Sequence, residues 1–355
     1  MNERERALDH KCPNCGSKLE FKPELGKWKC DSCNSEFDLE TLQKYNNASS
    51  EENNKSAETK DTTNYIEYHC KNCGAEIIAD EQTAATFCVY CGNTAILKSK
   101  LSGKFAPSKI IPFKHTKQEA IDAFKSLYKG RPLMPKFFNY ECNIEKITGV
   151  YIPFWLFSMS TNGKMDVSAK RITTWTVGDI QYTKTDSYAV KRDVDMKFHR
   201  VPVDGSTRFA DDIMNTIEPF NYNELVDYNH AYLSGFLAEK FDVDDEKASE
   251  DAKSRADKTT KNIINNSMNY AIKTVKSQSF TNNIDKKEYV LLPVWMVNVR
   301  YNEKYYTFAM NAQTGEFVGN IPVDKKKAVK IGACILIGVT LFVLLITYLM
   351  YLGGK

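Results

Sequence analysis

The sequence predicts a multidomain chain: two small β zinc ribbons, an α+β body with β-hairpins and helices, and one C-terminal transmembrane helix. Three observations predict it. A pattern of two CxxC pairs occurs twice near the N-terminus, residues 105–323 alternate strand-like and helix-like periodicity, and a run of 22 uncharged residues lies close to the C-terminus. The composition, 42% hydrophobic and 26% charged over 355 residues, is that of a chain able to build a real core.

The first ribbon is assigned to residues 8–45. Its cysteines Cys12, Cys15, Cys30 and Cys33 form two CxxC pairs with fourteen residues between them. Cysteines three apart on a tight turn aim two sulfurs at one point, and two such turns supply four thiolates in a tetrahedron, the donor set that suits Zn2+. The residue after each pair needs a left-handed backbone, and it is Gly16 and Asn34 here. Two disulfides are the alternative. The N-terminal MNERERALDH, charged throughout, has no signal-peptide character, and a reduced, metal-bound set is expected.

The second ribbon, residues 65–100, repeats every ligand 58 positions later as Cys70, Cys73, Cys88 and Cys91, with Gly74 and Gly92 in the left-handed places. Two zinc ions are therefore expected, both structural, because four thiolates leave no coordination position for water or substrate. His10 and His69 lie just before the first cysteine of each ribbon and are read as surface residues outside these complete shells. Residues 46–64, NNASSEENNKSAETKDTTN, contain one apolar residue type and are read as a flexible linker that lets the first ribbon move relative to the second.

In the body, HTKQEAIDAFKSLYKG predicts a helix with a Thr116–Glu119 capping box, an apolar face of Ala120, Ile121, Phe124, Leu127 and Tyr128, and a stop at Gly130. VYIPFWLF and VLLPVWMV share Pro-x-Trp at an offset that pairs Pro153 with Pro293 and Trp155 with Trp295, and each copy is read as a strand entering a hairpin with its tryptophan in the core. Residues 164–201 alternate as strands, and 211 to about 278 read as helices. The acidic Asp242, Asp244, Asp245 and Glu246 lack the glycine and distal glutamate of a calcium loop and predict a capped helix start. No nucleotide-binding loop, HExxH or GxSxG motif occurs, and no spacing ties Cys142 to His115, His199 or His230 as a thiol nucleophile, so no catalytic residue and no enzyme activity are expected.

IGACILIGVTLFVLLITYLMYL, residues 331–352, would span about 33 Å as a helix, against a bilayer core of about 30 Å. Lys325, Lys326, Lys327 and Lys330 precede it and only Lys355 follows, which places the N-terminal body in the cytoplasm. Cys334, inside the span, is read as a small apolar residue. The formal net charge is +3, and two four-thiolate zinc sites at −2 each would turn it to −1. The second ribbon carries three Lys and four Asp or Glu, no stripe for phosphates, so nucleic acid is not the expected partner.

The segments CPNC…CDSC, CKNC…CVYC, KIIPF, GVYIPFWLF, YLSGFLAEKFDVD, LLPVWMV and FAMNAQTGEFVG, with the lysine run and terminal span, together resemble a family of bacterial membrane-anchored double zinc-ribbon proteins. Members are often labelled transcription factor IIB-type zinc ribbon proteins or likened to the primosomal helicase. The resemblance implies an adaptor in cell-envelope stress whose protein partners are SPFH-type or phage-shock-type membrane proteins. A membrane-held zinc-ribbon factor for nucleic acid, in transcription or replication, is the alternative.

Overall fold

The computed structural model describes residues 12–17, 19–51, 65–70, 74–80, 88, 96–100, 107–127, 133, 135, 147–208, 211–301, 304–319 and 323–353. A three-stranded antiparallel sheet holds β1 (Leu19–Lys22), β2 (Lys27–Cys30) and β3 (Glu36–Phe37), followed by helix α1 (Leu39–Glu51). Asp38 starts that helix by accepting from the Thr41 amide at 2.7 Å. The helix takes in the first six residues of the segment read as a linker. Once nucleated, a helix gains one hydrogen bond for each residue it adds, which is enough to carry it through a polar stretch.

Among the described residues the second sheet has eleven strands. Its main path runs β10 (Val226–Asp227), β7 (Lys109–Ile110), β12 (Ile272–Tyr301), β8 (Thr148–Val177), β11 (Leu237–Glu239), β5 (Glu76–Asp80), β4 (Tyr65–Cys70) and β6 (Ile96–Lys100). β9 (Ile180–Asp204) pairs with β8, β13 (Lys304–Asn311) with β12, and β14 (Phe317–Gly319) with β13. The strands of the second cysteine module thus belong to the body's own sheet.

The Pro-x-Trp copies become adjacent strands, β8 and β12, each entering a hairpin, β8–β9 and β12–β13. A proline removes a ladder donor and is poorly tolerated in a central strand. Each proline here sits where its strand changes neighbour. β8 pairs with β11 through Tyr151 and with β9 from Phe154, and Pro153 lies between. β12 pairs with β7 through Leu291 and with β13 from Val294, and Pro293 lies between. Both proline carbonyls accept from the residue just past the neighbouring strand, Gly205 at 2.9 Å and Ala312 at 3.1 Å. Both tryptophans donate to a backbone carbonyl, Trp155 to Val243 and Trp295 to His115.

Helix α2 (Lys117–Ser126) carries the expected capping box, with Ala120 and Phe124 fully buried; Tyr128 and Gly130 lie outside the described residues. The stretch read as helical from 211 to 278 divides differently. Helices α3 (Asp211–Ile217) and α4 (Asp245–Asn266) are present, but β11 lies between them and β12 begins at Ile272. β11 is only three residues long, too short for periodicity to reveal, and it forms because strands on both sides satisfy its backbone. Asp244 caps α4 by accepting from the Lys247 amide at 2.8 Å, as the acidic cluster predicted.

β8, β9 and β12 run far beyond the rest of the sheet. β8 has 30 residues, a contour of about 100 Å. Along its buried face lies α4, whose Ala248, Ala252, Ala256, Thr260 and Ile264 recur every four residues as one stripe of mostly small side chains. Small residues let the helix settle close on Phe157, Met159, Met165 and Val167. Helix α5 (Lys325–Gly353) follows β14. Asp324 caps it, accepting from the Lys326 and Lys327 amides at 3.0 and 3.1 Å. It is long and apolar enough to cross a membrane.

Candidate metal centre

The knuckles are built by backbone hydrogen bonds that the sequence encodes directly. The Gly16 amide donates to the Cys12 carbonyl at 2.8 Å, Asn34 to Cys30 at 2.8 Å and Gly74 to Cys70 at 2.8 Å, and the return bonds run from Cys12 to Ser17, Cys30 to Ser35 and Cys70 to Ala75 at 2.7–2.9 Å. Gly16, Asn34 and Gly74 have φ of 73°, 59° and 72°, the left-handed region in which glycine and asparagine are tolerated. Gly92 lies outside the described residues.

Two such knuckles bring Cys12, Cys15, Cys30 and Cys33 together, with all four sulfurs within 4.8 Å of one another. Cys12 Sγ is 3.4 Å from Cys33 Sγ and Cys15 Sγ is 3.5 Å from Cys30 Sγ. Four sulfurs around a tetrahedral ion with bonds of ~2.3 Å lie ~3.8 Å apart, so the donor set fits a metal ion. Cys12 and Cys30 are buried and Cys15 and Cys33 exposed, which closes the centre on the body side and leaves one edge towards solvent. The Ser35 hydroxyl, 3.2 Å from Cys33, together with the Ser35 amide, brings the Cys33 thiol down to about 6, and Ser17 lowers that of Cys15. Burial pushes Cys12 up to about 12. Both exposed cysteines are thus shifted towards the thiolate, the form that ligates a metal.

Of the second set, Cys70 and Cys88 are both buried in one apolar cluster with Tyr68 and Ile77, while Cys73 and Cys91 lie outside the described residues. His10 also lies outside them. His69 is half-exposed, with Nε2 3.6 Å from the buried Glu67 and Nδ1 3.9 Å from Glu76. Lys240 Nζ stands 3.5 Å from each of those carboxylates, so a cation from the protein already serves this group of charges. Cys142 is outside the described residues, and the His199 ring nitrogen lies 3.2 Å from the Ser158 hydroxyl.

Both cysteine modules are docked, not free. In the first, Phe21 and Trp28 stand opposite each other across β1 and β2 and pack on Tyr232 with ring centroids 4.9–5.4 Å apart. Trp28 Nε1 donates to the Ala231 carbonyl at 2.9 Å, and the Ser234 hydroxyl donates to the Leu19 carbonyl. A few residues on, β11 pairs with β5 of the second module and Lys240 reaches Glu67 and Glu76. The short stretch 231–240 therefore fastens both modules to the body. The reading of the first module as one that moves relative to the second is corrected: an indole and two aromatic neighbours, once desolvated, hold it in place. Nothing in the spacing of the cysteines signals this. The clue is Trp28 and Phe21 alternating on strands too small to bury both by themselves.

Trp28→Ala is expected to remove this dock, a loss in the ~3–5 kcal/mol range for a buried indole, without changing the four sulfur ligands. Limited proteolysis should then cut between the first module and the body while the metal content per chain stays unchanged.

Comparison with curated proteins finds the chain similar to the uncharacterized protein YdjG of Bacillus subtilis (strain 168), 36% identical over 321 residues that cover 90% of this chain and 92% of that protein. No family model matches the chain, and no solved structure matches it.

Proposed function

From its membership in the family of YdjG from Bacillus subtilis, shared over nearly the whole length of both proteins, we propose that this chain is a membrane-tethered zinc-ribbon adaptor that holds a protein partner at the membrane. Zinc is the assigned ion at Cys12, Cys15, Cys30 and Cys33, because an all-thiolate set selects a soft divalent ion, and a second zinc is assigned to Cys70, Cys73, Cys88 and Cys91 from the repeated spacing. The body stands in the cytoplasm, with the lysines before the terminal helix on the inner face.

One observation carries the reading. The four-sulfur centre belongs to a module packed against the body, in a chain that also carries a terminal helix long and apolar enough to span a bilayer. A metal without an open position shapes a surface and performs no hydrolysis, and a shaped surface tied to a membrane is the arrangement of a tether. The partners proposed are SPFH-type or phage-shock-type membrane proteins, in cell-envelope stress.

The test is affinity purification of the detergent-solubilised chain, compared with a chain lacking residues 325–355. A protein that co-purifies with both, and moves from membrane to soluble fraction in the shortened form, is the expected result. If no protein depends on the chain while DNA or RNA binds with salt-sensitive affinity, the membrane-held nucleic-acid factor replaces this reading.

A further inference from the structure

The face of β8 and β9 that α4 covers continues past the end of that helix. Met165, Val167 and Ala169 are buried beneath it, and the same alternation places Trp175 and Val177 on that face, opposite Tyr182 and Ile180 of β9. A two-residue turn, Gly178–Asp179, with Gly178 at φ 60°, closes the hairpin. Trp175 and Tyr182 stack at 5.7 Å and 14°. Trp175 and Tyr182 are 45% and 44% exposed, Val177 and Ile180 60% and 59%. The opposite face there is Thr174, Thr176, Gln181 and Thr183, with Ile172 its one large apolar residue. β12 starts at Ile272 opposite Lys170, so past that point the ribbon has two strands only among the described residues. A lone two-stranded ribbon is marginal in water and gains stability from a cover on its apolar face.

We infer that this tip is a homodimerisation surface, in which the Trp175–Val177–Ile180–Tyr182 face of one chain packs on the same face of a second copy. The inference rests on the membrane-anchoring part of the proposed function. Strand register puts the tip and the strand that precedes the anchor at opposite ends: β14, the last strand before α5, lies level with Trp295–Val297 of β12, about thirty residues of strand from the tip, on the order of 100 Å of contour. Two chains anchored in one membrane then extend their arms the same way, and a twofold axis along the arms brings identical faces together. Charge around the patch is balanced, Arg171 and Lys184 against Asp179 and Asp186, so it neither repels a copy of itself nor draws acidic headgroups. At these exposures the four side chains offer on the order of 400 Å² per chain, half of the ~800 Å² of a free-standing interface, so the pairing needs the raised effective concentration that a shared membrane supplies.

The test places a benzophenone amino acid at Tyr182, and separately at Thr174 on the polar face, in the full chain in its native membrane. Illumination should give a chain-to-chain adduct from position 182 and little from 174. Adding Val177→Thr and Ile180→Thr, which keep β-branching and so the hairpin, should lower the adduct by roughly tenfold. Adducts from 182 to lipid or to another protein in place of a second copy, equal adducts from both positions, or no adduct in chains that remain carbonate-resistant in the membrane overturn the inference. In that last case anchoring stands and dimerisation fails.

Discussion

Protein purified without chelator is expected to carry two zinc ions per chain, and Cys30→Ser to carry one. Cys30 is the buried ligand shared between β2 and the second knuckle of the first module, and its amide and carbonyl shape that knuckle through Ser35 and Asn34. Serine preserves those backbone bonds and removes the sulfur, so the substitution isolates the metal. A structural zinc contributes an apparent ~10–16 kcal/mol, and a three-stranded sheet this small does not replace that by burial. The first module should therefore unfold. Because Trp28 and Phe21 leave the Tyr232 cluster when it does, the body loses a lid over Tyr232 but keeps its own core around Phe113, Tyr151 and Trp295. Metal analysis measures the zinc count, and loss of a shielded tryptophan signal with one cooperative body transition retained measures the rest. A chain that binds fewer than two zincs in the unmutated protein would falsify the two-site reading.

Features governed by neighbours in sequence were legible from it. The knuckle residues Gly16, Asn34 and Gly74, the Thr116–Glu119 box and the cap at Asp244 each depend on backbone geometry within a few positions, and each is found as the residue types dictate. The Pro-x-Trp copies were legible as hairpin strands, but not their reason: a proline marks a change of strand neighbour, and the neighbours of β8 and β12 come from distant parts of the chain. The same limit hid β11, three residues whose strand character is supplied by β5 and β8. It also hid the dock of the first module, since Trp28 meets Ala231 across 203 positions. The turn at Gly178–Asp179 was hidden differently. An uninterrupted strand pattern on both sides made 164–201 read as one alternating stretch, although the Gly-Asp pair between Val177 and Ile180 is a two-residue hairpin signal.

The anchor prediction has the second large expected effect. The full chain should stay in the membrane pellet after carbonate, and Val343→Arg with Leu344→Arg should release it. Thirteen Leu, Ile, Val or Phe residues between 331 and 352, at ~0.3–0.6 kcal/mol each, favour insertion by ~4–8 kcal/mol. Two arginines at the middle of the helix cost ~5–7 kcal/mol and remove two of those apolar contributions, which is enough to cancel the preference. All the large apolar side chains from Ile335 to Met350 are exposed in α5, so no protein core is disturbed by the change and the fold of the body should be unaffected. Sidedness is a separate measurement. Four lysines within six residues before the span, against one after it, should keep the cysteine modules inside, and protease added to intact cells should leave them uncut. Release of the unmutated chain by carbonate would end the anchor reading. Cleavage of the modules from outside would keep the anchor and reverse its orientation, and with it the expectation of reduced, metal-bound cysteines, because thiols facing the exterior are oxidised to disulfides.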